Sequence, residues 1–288
     1  MIVIAAELFQ EGSCSRCACA GDACEAGTSI EMQQLSATDA VPLRRLTATL
    51  RSGAITWFNA ADETQAMAAC AIDNDVEPVG SVVWPAGVAA ISALERLSNA
   101  RRGGLRGLSV LELGAGTGLT ALAAAKFGAR VIATDASELC LRLLRAARDA
   151  NPDLSVAIEK LDFCDVAAVE ALVRARGPFD LVVACDTFYS TALAKATAGA
   201  IAASRATARL VLDPCRPTRP QFVDELKRLE VASWDGGADV AFRPLPVDAN
   251  AIRFDGDNAS DAPTFAFDGC YAAGFGQLPP GRFRCCIS

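Results

Sequence analysis

Histidine is absent from this 288-residue sequence, which removes imidazole from any acid–base or zinc-binding role. Also missing is a run of roughly 18 uninterrupted apolar residues, the length a membrane-spanning helix requires. The Ala-rich stretches that come nearest are broken by Lys, Arg, Asp or Gly, so neither a transmembrane helix nor a membrane partner is expected. Positive charge is in short supply: 27 Lys and Arg against 34 Asp and Glu leave a net charge of −7. That balance opposes the counterion release that drives binding to a phosphate backbone. Nucleic acid is therefore a poor partner, whereas a basic, lysine-bearing protein is compatible. Residues Met1 to Gln10 lack a basic segment and carry Glu7, so a secretion signal or transit peptide is not expected. The cytoplasm is the default compartment; a mitochondrial one would demand an import signal that these residues do not display.

What is present suffices for a large core. The 52% hydrophobic content and the length suit one large α/β domain with an N-terminal extension. Twelve cysteines are many, but Cys70, Cys140, Cys164 and Cys185 stand in apolar surroundings, where a reduced thiol acts as a small hydrophobe. Cys14, Cys17, Cys19 and Cys24 cluster among Ser, Gly and Ala, in a spacing that is not that of a common structural zinc site. Residues 1–40 read as a flexible, Cys-rich arm, and no metal is expected.

Residues 41–81 form an N-terminal extension in which Leu46–Leu50 and Ala54–Phe58, separated by Arg51-Ser52-Gly53, read as a β-hairpin packed on the main domain. From Val82 onward, over residues 82–288, helix and strand signals alternate, the mark of a parallel sheet with crossover helices. Strands are expected at 109–113, 130–134, 155–160, 179–184 and 208–212. Helices are expected at 86–100, up to Lys126, and at 138–150, 166–176, 192–204 and 220–230. Two final strands are placed near 231–234 and 264–267. The fold class is a doubly wound, mostly parallel seven-stranded α/β sheet.

The chemistry begins after the first of these strands. Glu112-Leu-Gly114-Ala115-Gly116-Thr-Gly118 sets three glycines where the backbone must turn sharply and admit a ligand without Cβ obstruction. A carboxylate ahead of the glycines would repel a pyrophosphate but attract the ammonium of a bound amino acid, so Glu112 favours a methionine-type ligand. Gly116-Thr-Gly118-Leu-Thr-Ala121 also fits the G-x-G-x-x-[GA] pattern of dinucleotide binding. In that register, however, Gly114 and Ala115 intervene between the strand and the first glycine. Asp135 serves either ligand, since a carboxylate after the second strand can hold a ribose diol in both.

These segments, with Asp186-Thr-Phe-Tyr189 directly after the fourth core strand, resemble the seven-β-strand, class I protein-lysine methyltransferases of the methyltransferase-like 21 type, in which a D-x-x-Y segment follows that strand. The resemblance covers about residues 82–229. Asp213-Pro-Cys-Arg216-Pro217 further resembles the D-P-G-R-P segment of the electron transfer flavoprotein β-subunit lysine methyltransferases. It implies S-adenosyl-L-methionine as cofactor, a protein substrate bearing the target lysine, with the flavoprotein β subunit one candidate, and a monomer. Trp84 would line the cofactor pocket, Gly114, Ala115, Gly116 and Gly118 would form its glycine-rich loop, and Asp135 would take the ribose hydroxyls. Phe163 falls where the family often has a Trp beside the adenine, while Asp162 is the alternative contact to the adenine amino group. Cys185 occupies a small-residue position next to the cofactor. Asp186 would aim the substrate amine and Tyr189 would close the lysine channel. Methyl transfer rests on position and desolvation more than on acid–base groups, so the lack of histidine is tolerable. A small-molecule N- or O-methyltransferase and a non-catalytic cofactor-binding scaffold remain the alternatives, since fold does not fix substrate.

Overall fold

The computed structural model describes residues 36–229 and the strand residues 243–244, 253–255 and 271–276. The Cys14–Cys24 cluster and the strands expected at 231–234 and 264–267 lie outside the described residues.

Strands β1 (Leu43–Leu50) and β2 (Gly53–Ala60) form an antiparallel hairpin in which Leu50 pairs with Gly53. Leu46, Ala48 and Leu50 alternate inward on β1, and Ile55 and Trp57 do so on β2; all five are buried. They join a cluster with helices α2 (Pro85–Ala100), α3 (Leu119–Lys126) and α4 (Glu138–Asp149). Asn151, just past α4, fastens the hairpin: its Oδ1 accepts from the Thr56 amide at 3.0 Å and its Nδ2 donates to the Thr56 carbonyl at 2.6 Å. Helix α1 (Glu63–Asp73) follows the hairpin, capped by Asp62, whose side chain accepts from the Gln65 amide. The sequence pattern gave no sign of this helix, because Met67, Ala68, Ala71 and Ile72 on its outer side are as apolar as Ala66, Ala69 and Cys70 on its buried side.

The main sheet has strand order β5-β4-β3-β6-β7-β10-β8. Its parallel part comprises β3 (Ser109–Leu113), β4 (Arg130–Asp135), β5 (Val156–Lys160), β6 (Leu181–Cys185) and β7 (Ala208–Asp213). These agree with the expected strands to within two residues at either end. The strands β8 (Arg243–Pro244), β9 (Arg253–Asp255) and β10 (Tyr271–Gly276) were not expected where they fall: β10 runs antiparallel to β7 and β8, while β9 pairs with β1 in the small sheet.

Alternation along the strands divides the core. Val110, Val183 and Leu210 face α2, α3, α4 and the hairpin; Leu111, Val182 and Val211 face α5 (Val166–Arg176), α6 (Thr191–Ser204) and α7 (Arg219–Arg228). Helices on both faces make the sheet doubly wound, and the chain leaves β3 toward β4 but returns on the other side at β6. That reversal opens a crevice at the C-terminal ends of β3 and β6, where open α/β sheets bind ligands. Among the described residues no helix is long and apolar enough to cross a membrane.

Candidate active site

One cavity occupies the crevice. It is bordered by Trp84, Glu112, Gly114, Ala115, Gly116, Asp135, Asp162, Phe163, Cys185, Asp186 and Tyr189. Every site residue singled out in the sequence is therefore present, with the exception of Gly118. That glycine caps α3 with φ +82°, and a Cβ there would lie 2.5 Å from Leu144 Cδ2 on α4. Its lack of a side chain serves helix packing. The reading of Cys164 as apolar filler also changes: its thiol is exposed on the loop after β5, beside the cavity.

Glu112 is the penultimate residue of β3, at its C-terminal end, and is buried. Burial, with Asp135 nearby, pushes its carboxyl up to about 8, against opposing hydrogen bonds from Thr120 and the Ala121 backbone. Its Oε2 has no hydrogen-bond partner among the described residues. A buried, unsatisfied carboxyl oxygen at a cavity wall is costly unless a donor comes to it from the ligand. Asp135 ends β4; its Oδ2 accepts from the Gly116 amide at 2.8 Å and its Oδ1 from the Ser137 amide at 3.0 Å. Its pKa is raised, burial outweighing those two hydrogen bonds.

Gly116 has φ +54°, and a Cβ on it would meet the Gly80 carbonyl oxygen at 2.7 Å. The short 3-10 turn Val79–Ser81 thus closes directly over the glycine loop. The Val79 carbonyl from the same turn accepts from Trp84 Nε1 at 2.8 Å, which fixes an indole that is 41% exposed. Across the cavity the Phe163 ring lies 3.4 Å from where a Gly114 Cβ would stand, and Asp162 Oδ1 accepts from the Cys164 amide. Phe163 and Asp162 both border the cavity, so the two adenine contacts weighed in the sequence are compatible with one another.

At the far wall Asp186 has φ +56°, a region that Asp tolerates better than most residues. Arg216 Nε donates to Asp186 Oδ1 at 2.6 Å, while Asp186 Oδ2 is buried with no hydrogen-bond partner among the described residues. The Arg216 guanidinium also stands 5.9 Å from the centroid of the Tyr189 ring. Asp213 anchors the loop that delivers Arg216: buried, it accepts from the Arg216 amide and forms an ion pair with Arg219 at 2.6 Å. Burial raises the Asp213 pKa, Arg219 opposing the shift. Arg216 is the site residue that the sequence reading did not assign a role, although the D-P-C-R segment contained it. Phe188, inside the D-x-x-Y segment, turns inward to stack on Phe222 at 4.8 Å. Tyr189 stays 42% exposed at the mouth, its pKa raised first by burial and then by Asp135 and Glu77.

Among the described residues that border it, Glu77, Glu112, Asp135, Asp162 and Asp186 face a single basic one, Arg216. The cavity thus suits a cationic occupant and disfavours a pyrophosphate.

The strand order, with an antiparallel strand inserted at one edge of a five-stranded parallel sheet, is that of the class I methyltransferase fold expected from the sequence. Residues 68–205 match the lysine methyltransferase family, which bears out the resemblance to protein-lysine methyltransferases; Asp213–Pro217 lies outside the matched residues. Protein-lysine methyltransferase METTL21E of Mus musculus is 33% identical over 115 residues, covering 38% of this chain and 46% of that protein. A 2-keto-3-deoxy-L-fuconate dehydrogenase of Xanthomonas campestris is 44% identical over 84 residues, covering 28% of this chain and 26% of that protein. The chain thus spans less than half the length of these relatives. The solved T. Thermophilus 16S rRNA N2 G1207 methyltransferase covers 82% of this chain and 50% of its own at 18% identity, with a TM-score of 0.49.

Proposed function

We propose that this chain transfers the methyl group of S-adenosyl-L-methionine to a lysine side chain of a protein substrate. The observation that carries the reading is the orphaned, buried Glu112 Oε2 in an acid-rich cavity. S-adenosylmethionine carries an ammonium and a sulfonium against one carboxylate, and the incoming lysine is a second cation. The residues fit the cofactor: Glu112 would receive the ammonium, Gly114 and Gly116 leave room along the loop, Asp135 would take the ribose hydroxyls, and Phe163, Asp162, Trp84 and Cys185 would enclose the remainder. When bound, the cofactor supplies an electrophilic sulfonium methyl.

The protein's own part is positional. A free lysine is neutral only about once in 2,500 molecules at pH 7, so the site must release the proton. Asp186 alone would hold the amine in its charged form; its pairing with Arg216 offsets that charge. Asp186 Oδ2 then serves as a directional acceptor for the amine, with water carrying the proton away, and Tyr189 closes the channel at the mouth. The flavoprotein β subunit is the finer candidate substrate, on the strength of Asp213-Pro-Cys-Arg216-Pro217.

Dinucleotide binding is the second reading, favoured by Gly116-Thr-Gly118-Leu-Thr-Ala121. The carboxylates around the cavity and the packing role of Gly118 oppose it. Calorimetry and a labelled-methyl assay separate the readings. Heat with S-adenosylmethionine and label on lysine of lysate protein, or of purified flavoprotein β subunit, supports the proposal. Label on a metabolite makes the chain a small-molecule methyltransferase, and binding without transfer makes it a scaffold. Heat with a nicotinamide cofactor alone would sink the reading.

A further inference from the structure

From Ser52 to Glu95 the chain carries no Lys or Arg, but six acids: Asp62, Glu63, Asp73, Asp75, Glu77 and Glu95. Five of these flank or belong to α1 and the loop that follows it. On α1 itself the outward side is apolar: Met67 is 42% exposed and Ile72 is 70% exposed, with Ala68 and Ala71 exposed between them. Burying such side chains against a partner is favourable, and a contiguous exposed apolar strip rimmed by charge is the character of an interaction surface. The strip does not end at the helix. Val76, 51% exposed, continues it and borders the cavity together with Glu77, and Glu77 acts electrostatically on Tyr189 at the mouth. At the opposite end of α1, Glu63 borders a second cavity that it shares with Arg44 and Trp84.

We infer that the outer face of α1, with the 74–77 loop, is the docking surface for the protein segment that carries the target lysine, and that this segment is basic with apolar side chains. The inference rests on the lysine-transfer reading for what enters the cavity. Charge decides among the occupants. A second copy of the chain brings a net charge of −7 to an already acidic face. Residues 1–34 carry Glu7, Glu11, Asp22, Glu25 and Glu31 against Arg16, and so they too meet repulsion. A basic segment gains from the exposed carboxylates Asp62, Glu63 and Glu77, whereas Asp73 and Asp75 accept from the protein's own donors. It lays its apolar residues on Met67 and Ile72, and brings its lysine past Glu77 to Tyr189 and Asp186.

The test uses the full chain and two fluorescein-labelled 13-residue peptides with a central lysine. One has arginine and leucine flanks; the other has glutamate in place of the arginines. Anisotropy at low salt is expected to show the basic peptide binding on the order of tenfold more tightly, a preference that fades with added salt. Ile72→Ser and Glu63→Lys, both at exposed positions, each weaken that binding severalfold while S-adenosylmethionine affinity, which reports folding, stays at the wild-type value. Equal binding of the two peptides, or wild-type binding by both variants, overturns the docking surface. So does a wild-type dimer in sedimentation that Ile72→Ser dissolves, since the strip would then be a self-contact. Mass spectrometry of the same mixtures keeps the two claims apart. A basic peptide that docks without being methylated removes the lysine-transfer reading and leaves the docking surface standing. Equal methylation of both peptides does the reverse.

Discussion

Arg216 Nε donates to Asp186 Oδ1 at 2.6 Å, while the second carboxylate oxygen of Asp186 has no hydrogen-bond partner among the described residues. The guanidinium therefore fixes which oxygen is left to meet a substrate and offsets the charge that would otherwise hold a lysine protonated. Arg216→Gln should lower kcat/KM for a lysine substrate on the order of a hundredfold, the usual scale for a lost aiming contact, with S-adenosylmethionine affinity changed less than about twofold. Its profile should also shift to higher pH, because Asp186 without its cation stabilises the lysine ammonium. Asp186→Asn keeps the shape but loses the charge, so it should lose kcat without that shift. Full activity of Asp186→Asn at saturating cofactor and substrate would remove Asp186 from the mechanism.

Glu112 makes cofactor binding a proton-linked event. Burial holds its carboxyl near 8 instead of the ordinary 4.5, so at pH 7 the ligand-free protein keeps a proton there. An ammonium arriving at Oε2 favours the ionised form and expels that proton. Calorimetry at pH 7 in two buffers of different ionisation enthalpy should report about one proton released, and close to none for Glu112→Gln. The same shift acts on stability. Between about 4.5 and 8 the folded chain holds a proton that the unfolded chain gives up, so ligand-free stability falls as pH rises through that window. Thermal melts of Glu112→Gln should lose this slope, and an unchanged slope would mean that Glu112 is ionised in the folded protein.

Cys215 occupies a backbone position with φ +63°, inside the loop that carries Arg216, where the resembled D-P-G-R-P segment has glycine. A side chain there strains the left-handed region, although glycine gives back part of the gain through the greater freedom of its unfolded chain. Cys215→Gly should stabilise the protein by about 0.5–1 kcal/mol, read as a rise of a few degrees in Tm. Activity should be retained, since Asp213 still receives the Arg216 amide.

The parallel strands and the helices that cross between them could be read from sequence because each is long enough to show its period and is bounded by turn residues. The residues of the cavity could be read because they sit at strand ends, where the sheet itself brings Glu112, Asp135, Cys185 and Asp186 together. Other features depend on distance relations that no local pattern carries. Helix α1 has apolar residues on both sides and so no amphipathic signal. The Asp186–Arg216 pair joins residues 30 positions apart. Strand β10 finds its place against β7 through pairing with a distant segment.

Gly116 and Gly118 looked equivalent as letters in a glycine-rich loop, but their surroundings separate them. A Cβ on Gly116 would be 2.7 Å from the backbone oxygen of Gly80, which cannot move without opening the 3-10 turn that covers the loop. A Cβ on Gly118 would be 2.5 Å from Leu144 Cδ2, the end of a side chain that can turn aside. Gly116→Ala should therefore weaken S-adenosylmethionine binding on the order of tenfold or more, since it distorts the backbone facing the ligand. Gly118→Ala should lower stability by about 1–2 kcal/mol from its positive φ and the displaced leucine, with cofactor affinity nearly kept. Calorimetry and thermal melts on the two variants decide the matter. If Gly118→Ala abolished binding while the fold held, Gly118 would belong to the ligand loop after all, and the division between contact and packing would be wrong.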